Sequence, residues 1–339
     1  MVRVGVIGYG YWGPNLVRNF AELPGAEVVG VSDLRPDRLA LAKARYPAIR
    51  ATTDIRDLLA DPKVDAIAVA TSVATHYDLA LKALQAGKHV LLEKPITATA
   101  DQARRLIEEA DRRKLTLMVD HTFVYTGAVR KIKELVDKGE LGDIYYYDSV
   151  RINLGLFQHD VSVIWDLAVH DLAIMDFVLK RYPVAVSATG ISHVPRAPEN
   201  IAYLTFFFEG ALMAHIHVNW LAPVKVRQAL IGGSNKMVVF DDLEPIEKVK
   251  VYDKGVTVQD DAENIYRVRI GYRTGDMWSP KLDGSEPLTV EARHFVECVE
   301  KGQRPQTDGR AGLRIVKLLE AATESVKRRG HPVEIPKEE

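Results

Sequence analysis

Residues 4–14, Val4-Gly5-Val6-Ile7-Gly8-Tyr9-Gly10-Tyr11-Trp12-Gly13-Pro14, decide the fold. A short apolar run of β-branched residues breaks into glycines spaced G-x-G-x-x-G, and an amphipathic helix pattern over 15–23 follows at once. In this strand–turn–helix setting Gly8 permits a tight turn, Gly10 lets backbone approach a pyrophosphate, and Gly13 lets the helix pack close to the strand. The helix N-terminus then offers unbonded N–H groups and the positive end of its dipole to an anion. Pro14 falls where a first-turn proline is tolerated. Gly8, Gly10, Tyr11, Trp12 and Gly13 are therefore expected at a dinucleotide cofactor.

The next strand-like run, 28–32, ends in Ser32-Asp33, twenty residues past Gly13. A carboxylate at that place accepts hydrogen bonds from the ribose hydroxyls of the adenosine half. It would also repel a 2′-phosphate about 4 Å away, by about 1 kcal/mol in water and up to about 4 kcal/mol at a partly buried dielectric. NAD is favoured, while Arg35, two residues on, leaves NADP open because a guanidinium there pairs well with a 2′-phosphate.

Working outward, apolar runs at 4–8, 28–32, 66–70, 89–93 and 115–120 alternate with helix patterns at 75–86 and 99–113. The last of these opens on a Thr99-x-x-Gln102 capping box. Such alternation predicts an α/β, doubly wound parallel Rossmann sheet over residues 1–122. Beyond 145 the texture changes to one long helical stretch, 161–179, and then successive strand patterns at 184–192, 201–208, 212–220, 226–232 and 237–241. Residues 123–339 are expected to form an α+β substrate-binding and oligomerisation domain with a large, mostly antiparallel open sheet. Its closing helices, 290–301 and 311–328, are expected to pack back on the first domain.

The 339-residue chain is long for one hydrophobic core, and 47% hydrophobic with 27% charged residues is an ordinary globular composition. Lys plus Arg (45) nearly cancel Asp plus Glu (46), so no global basic field favours nucleic acid or an anionic membrane. A single cysteine, Cys298, excludes an intrachain disulfide and a multi-thiolate metal site. No apolar stretch reaches the roughly 18 residues needed to span a bilayer, and no signal peptide is evident. A cytoplasmic protein with no metal, membrane or nucleic-acid partner is expected.

The strand His89-Val90-Leu91-Leu92-Glu93 runs into Lys94-Pro95, placing a lysine at the carboxyl edge of the sheet, where open α/β sheets bind ligands. Later, Asp166 and His170 lie four apart in Trp165-Asp166-Leu167-Ala168-Val169-His170-Asp171 and so share a helical face. Together with the glycine turn, Ala70-Thr71 followed by His76, Ala86-Gly87-Lys88-His89-Val90, and Gly302-x-x-Pro305, these stretches resemble the glucose–fructose oxidoreductase/inositol dehydrogenase/rhizopine-catabolism (GFO/IDH/MocA) oxidoreductases over essentially the whole chain.

The resemblance implies an NAD(P)-dependent enzyme moving a hydride between nicotinamide and a ring CH–OH of a sugar, as a homodimer or homotetramer. It implies that Lys94 is catalytic, with a Lys94–Pro95 bond that is often cis in the family, and that Thr71, His76, Glu93 and Lys94 join the cofactor site. It makes Lys94, Asp166 and His170 the catalytic set. A histidine, titrating near about 6.5 when unperturbed, suits proton exchange with an alcohol. His170 is read as base in oxidation, Lys94 as stabiliser of alkoxide charge and Asp166 as the orienting group, with the roles of Lys94 and His170 exchangeable.

Arg151 and Asn153 alternate on one face of a strand before the Asp–His helix and are expected, with Lys94, Asp166 and His170, at the substrate. Lys225 with Arg227 form a similar pair, and an arginine fork suits a diphosphate. His215, His217 and Asn219 alternate as well, and read as an ordinary sheet face. The stretches Val119–Tyr125 and 148–155 resemble the nucleotide-sugar branch, although many relatives carry Gly where Asp120 stands. The expected substrate is a UDP-N-acetylhexosamine or its uronic acid oxidised at C3. The alternatives are an inositol or free-sugar dehydrogenase, or a non-catalytic NAD(H)-binding protein.

Overall fold

The computed structural model describes residues 1–155, 161–259 and 269–336. The chain divides into two compact units, Met1–Thr126 with Ser285–Glu320, and Gly127–Gly284 with Ala321–Glu339.

In the first unit β1 (Val2–Ile7), β2 (Ala26–Ser32), β3 (Arg50–Thr52), β4 (Ala66–Val69), β5 (His89–Glu93) and β6 (Leu117–Asp120) form a six-stranded sheet in the order β3-β2-β1-β4-β5-β6. Each pairing is parallel. This is the doubly wound Rossmann order, with its switch point between β1 and β4. The crossovers carry α1 (Gly13–Glu22), α2 (Pro36–Arg45), α3 (Arg56–Leu59), α4 (Val73–Gln85) and α5 (Ala100–Arg113). The centre is dry, since Val4, Val6, Ala66, Ile67, Ala68 and Val69 are fully buried, as strands covered on both faces must be. Thr99 caps α5 by accepting from the Gln102 N–H at 3.3 Å.

The second unit opens with α6 (Gly127–Asp137) and β7 (Ile144–Leu154), then a π-helical turn over Ile164–Ala168 that runs into α7 (Val169–Leu179). There follow β8 (Ala185–Ile191), β9 (Ile201–Phe207), β10 (Met213–Asn219), β11 (Leu221–Gly233), β12 (Met237–Asp241) and β13 (Val249–Tyr252). A separate hairpin pairs β14 (Gly255–Gln259) with β15 (Arg269–Arg273), and β16 (Met277–Trp278) edges the main sheet. The chain closes with α8 (Pro287–Lys301) in the first unit, α9 (Gly309–Lys327) and β17 (Val333–Glu334).

The large sheet runs β16-β13-β12-β11-β7-β10-β9-β8-β17. It is antiparallel apart from β7 beside β10, which are parallel. Along β9 and β10 one face is sealed, with Ala202, Leu204, Phe206, Ala214, Ile216 and Val218 fully buried, whereas Tyr203, Phe207 and Met213 on the other face stay 37–48% exposed. No described helix is long and apolar enough to cross a membrane.

Candidate active site

The glycine turn is tighter than any side chain would allow. Gly8 has φ +95°, and a Cβ on it would meet Ala70 O at 2.5 Å; a Cβ on Gly13 would meet Gly8 O at 2.0 Å. Gly10 is different, because the nearest atom to its virtual Cβ is Arg35 Nη2 at 3.6 Å, so its bare side opens outward. The Gly8 N–H donates to Ser32 O and the Ala70 N–H to Ile7 O, both at 2.8 Å, which fixes the turn between three strand ends. Asp33 closes it: its carboxylate accepts the Tyr9 N–H at 2.7 Å and the Arg35 N–H at 2.9 Å. Burial of Asp33 works against its charge, but the backbone bonds from Arg35 and Tyr9 win, and its pKa lies below the usual value. Arg35 Nε sits 3.4 Å from the same carboxylate.

These features fit a dinucleotide. The glycines leave backbone where a phosphate must approach, α1 begins there with a proline in its first turn, and an ionised carboxylate stands at the end of β2 for a ribose. Tyr11 is 89% exposed beside them.

At the end of β5 the Lys94–Pro95 peptide is cis. His76, expected at the cofactor, is 1% exposed and faces backbone instead, with Nδ1 2.9 Å from Pro95 O and Nε2 3.1 Å from Thr71 O. Burial lowers its pKa, and a neutral imidazole donates to one of those carbonyls at a time. Its place in the structure is thus to hold the Lys94–Pro95 turn against the end of β4. Thr71 Oγ1 lies 2.7 Å from Thr75 Oγ1. Glu93 pairs in register with Asp120, and burial, followed by the charge of Asp120, drives its pKa well above the carboxylate range. His121 is 3% exposed, and burial and the Lys94 charge push its pKa down to about 3.

In the second unit Asp166 sits in the π-helical turn, not in a regular helix as its spacing suggested, and its Oδ2 accepts the Trp220 indole N–H at 3.1 Å. His170 follows as the second residue of α7. Single π turns inside helices occur often at functional sites, because the extra residue turns a side chain away from the regular face. Trp165 anchors the turn by donating to Thr323 Oγ1 at 2.9 Å.

Arg151 departs from expectation. Its guanidinium is buried with Asp171, Nε donating to Oδ2 at 2.5 Å, with side-chain exposures of 3% and 5%. A buried guanidinium committed to a carboxylate is a structural ion pair, not an open diphosphate contact. Arg151→Met is accordingly expected to strand the Asp171 charge and destabilise the fold by about 3–5 kcal/mol, read as a lowered urea midpoint; a midpoint unchanged within error would refute that role. Asn153, on the same strand, is half-buried. Arg227 lies 3.4 Å from Asp242, and Lys225 is exposed. Tyr203 stacks on His217 with ring centroids 4.4 Å apart and on His215 at 6.3 Å. No group of three or more metal-ligating side chains occurs among the described residues.

A glycine-turn Rossmann unit with a strand-end lysine, in a chain that also carries an Asp–His helix, defines a nicotinamide-dependent oxidoreductase. Residues 2–121 match the oxidoreductase family with an NAD-binding Rossmann fold, and residues 129–239 match the GFO/IDH/MocA C-terminal domain. The chain is 33% identical to the UDP-N-acetylglucosamine 3-dehydrogenase of Acidithiobacillus ferrooxidans, over 93% of this chain and 94% of that one. It is 24% identical to the myo-inositol 2-dehydrogenase of Thermotoga maritima, over 96% of each. The solved structure of the Acidithiobacillus ferrooxidans enzyme superimposes with a TM-score of 0.80 at 25% identity, covering 96% of this chain and 98% of that one. The chain belongs to the GFO/IDH/MocA oxidoreductase family. It is an NAD-dependent oxidoreductase acting on CH–OH groups of sugars or polyols.

Proposed function

We propose that the substrate is a nucleotide-activated hexose, oxidised at C3 of a UDP-N-acetylhexosamine or its uronic acid. The similarity that carries this reading is the 33% identity, over nearly the whole of both chains, to a UDP-N-acetylglucosamine 3-dehydrogenase. Bound NAD supplies a hydride acceptor at nicotinamide C4. Gly8, Gly10, Gly13 and Asp33 hold and orient it, Tyr11 and Trp12 flank the pyrophosphate, and Thr71 and Glu93 line the strand ends beside Lys94. His170 takes the hydroxyl proton as the C–H bond breaks, and gives it back in the reverse direction. Lys94 donates a hydrogen bond to the same oxygen and stabilises the negative charge that grows on it. Asp166, already held by Trp220, orients the sugar hydroxyls, and Asn153 contributes a hydrogen bond from β7.

One observation favours a second reading, an inositol or free-sugar dehydrogenase: the Arg151 guanidinium is tied to Asp171, which leaves one fewer cation for a diphosphate. A panel of UDP-GlcNAc, its uronic acid, myo-inositol and scyllo-inositol with NAD, followed by NADH absorbance, separates the two. A kcat/KM at least about 100-fold higher for a UDP-sugar is expected, equivalent to roughly 2.7 kcal/mol of transition-state discrimination. Preference for an inositol would replace the first reading by the second.

The half-exposed Tyr203, Phe207 and Met213 on the outer face of β9 and β10 suit burial against a second copy of the chain, since large apolar side chains left on an open sheet face favour association. Light scattering is expected to give a dimer or tetramer, and Phe207→Glu to shift it toward monomer; a monomeric native protein would remove the proposal.

A further inference from the structure

Glu93, Asp120 and Glu291 bring three carboxyl groups together inside the first unit, next to the glycine turn. Glu93 and Asp120 are register partners at the ends of β5 and β6. Glu291 arrives from α8 and is 0% exposed. Burial, followed by the charge of Asp120, raises the pKa of Glu93 and of Glu291 well above the usual carboxylate value.

Asp120, 2% exposed, is the member with strong partners. Its Oδ2 accepts the Trp12 indole N–H at 2.7 Å, and its Oδ1 accepts the Thr122 hydroxyl. Trp12 is the N-cap residue of α1 and has no side-chain capping bond of its own. Helix N-caps are ordinarily fixed by a Ser, Thr, Asp or Asn side chain that bonds back to the first turn. Here the cap is tethered sideways instead, through an indole to a buried carboxylate 108 positions later. Helix α8 is itself braced to α1: Arg18 pairs with Glu286, and Thr289 bonds Asn19 at 2.6 Å.

We propose that Asp120 is a positioning residue for the coenzyme: by accepting the Trp12 indole N–H it locks the N-cap of α1 in the conformation that receives a pyrophosphate. The backbone N–H groups that meet the anion belong to this cap and the first turn behind it. A cap free to rotate would present them in many directions, and binding would have to order them at the expense of affinity. The role concerns the coenzyme turn and holds for either sugar class.

The test uses the full chain with Trp12→Phe, Asp120→Ala and Asp120→Asn, measuring NADH affinity by calorimetry and NAD KM and kcat by turnover. Trp12→Phe and Asp120→Ala are each expected to weaken NADH binding and raise the NAD KM about tenfold, the size expected for losing a hydrogen bond to a charged group, with a much smaller fall in kcat. Asp120→Asn keeps an oxygen for the indole N–H and a second group for Thr122, and is expected within about threefold of the native protein. Because both losses act through one bond, the double variant Trp12→Phe/Asp120→Ala should bind NADH no worse than the weaker single variant. Native affinity in Trp12→Phe overturns the proposal, as does an Asp120→Asn protein as weak as Asp120→Ala, or losses that multiply in the double variant. Should Asp120→Ala not fold, Trp12→Phe and Asp120→Asn decide the matter between them.

Discussion

Alanine at Gly13 is expected to weaken NADH binding by at least about 100-fold while leaving the secondary structure in place. The added methyl would stand 2.0 Å from Gly8 O, well inside van der Waals contact, so one of the two backbones must retreat by about 1 Å. Gly8 has nowhere to go. Its own φ is +95°, a Cβ there would already meet Ala70 O at 2.5 Å, and its N–H is bonded to Ser32 O at 2.8 Å. The start of α1 must therefore lift away from the sheet, carrying the anion-binding N–H groups with it. A displacement of about 1 Å in a positioned group is enough for a loss of order 10². Gly10→Ala is the informative control, because its methyl would meet nothing closer than Arg35 Nη2 at 3.6 Å. That variant should unfold like the native protein and lose NADH binding only through obstruction of the pyrophosphate. Calorimetry with NADH and thermal unfolding on both variants check the pair; a Gly13→Ala protein that binds NADH normally would show that the turn does not hold the coenzyme.

The same glycines explain why the first unit was legible in the sequence. Their spacing has few structural solutions, and fully apolar strands such as 66–69 read directly as a parallel sheet covered on both faces. In the second unit, alternation along Ala202, Tyr203, Leu204, Thr205, Phe206 and Phe207 specifies which residues point inward, and the strands were readable for that reason. Pairing order was not readable: alternation assigns a face but not a neighbour, so the parallel contact of β7 with β10 left no trace. The π turn at Asp166 escaped for a related reason. Around it Ile164, Ala168, Val169, Leu172, Ala173, Ile174 and Met175 are all buried, and apolar residues spread this widely around the axis blur the period from which an inserted residue could be noticed.

Buried charge is the other blind spot. Arg151 was expected at the substrate and its pairing with Asp171 was not foreseen, because twenty positions and a change from strand to helix separate two side chains that meet only in the fold. Glu291 looks like any acid on a surface helix, yet it is fully enclosed. Asp120 drew notice as a departure from relatives that carry glycine there, but its partner Trp12 lies in a motif whose glycines command the reading. In each case composition along the chain gives the residue type and only packing gives its environment.

His170→Asn is expected to lower kcat by about 10² to 10⁴, the usual contribution of a positioned acid–base group, with NADH affinity unchanged because the glycine turn and Asp33 belong to the first unit. Asparagine can hydrogen-bond a hydroxyl but cannot take its proton, so the loss should fall on the chemical step. Lys94→Ala should cost a comparable factor by removing the stabilisation of alkoxide charge. If the two serve one oxygen as proposed, the double variant should lose less than the product of the two, because such groups act as a unit. The pH dependence of kcat/KM for oxidation distinguishes the roles. If His170 is the acceptor, activity climbs with pH as the imidazole loses its proton, and that ascending limb should vanish in His170→Asn yet persist in Lys94→Ala. The opposite result would make Lys94 the base and leave His170 as a hydrogen-bond donor; near-normal turnover of His170→Asn would take that residue out of the chemistry altogether.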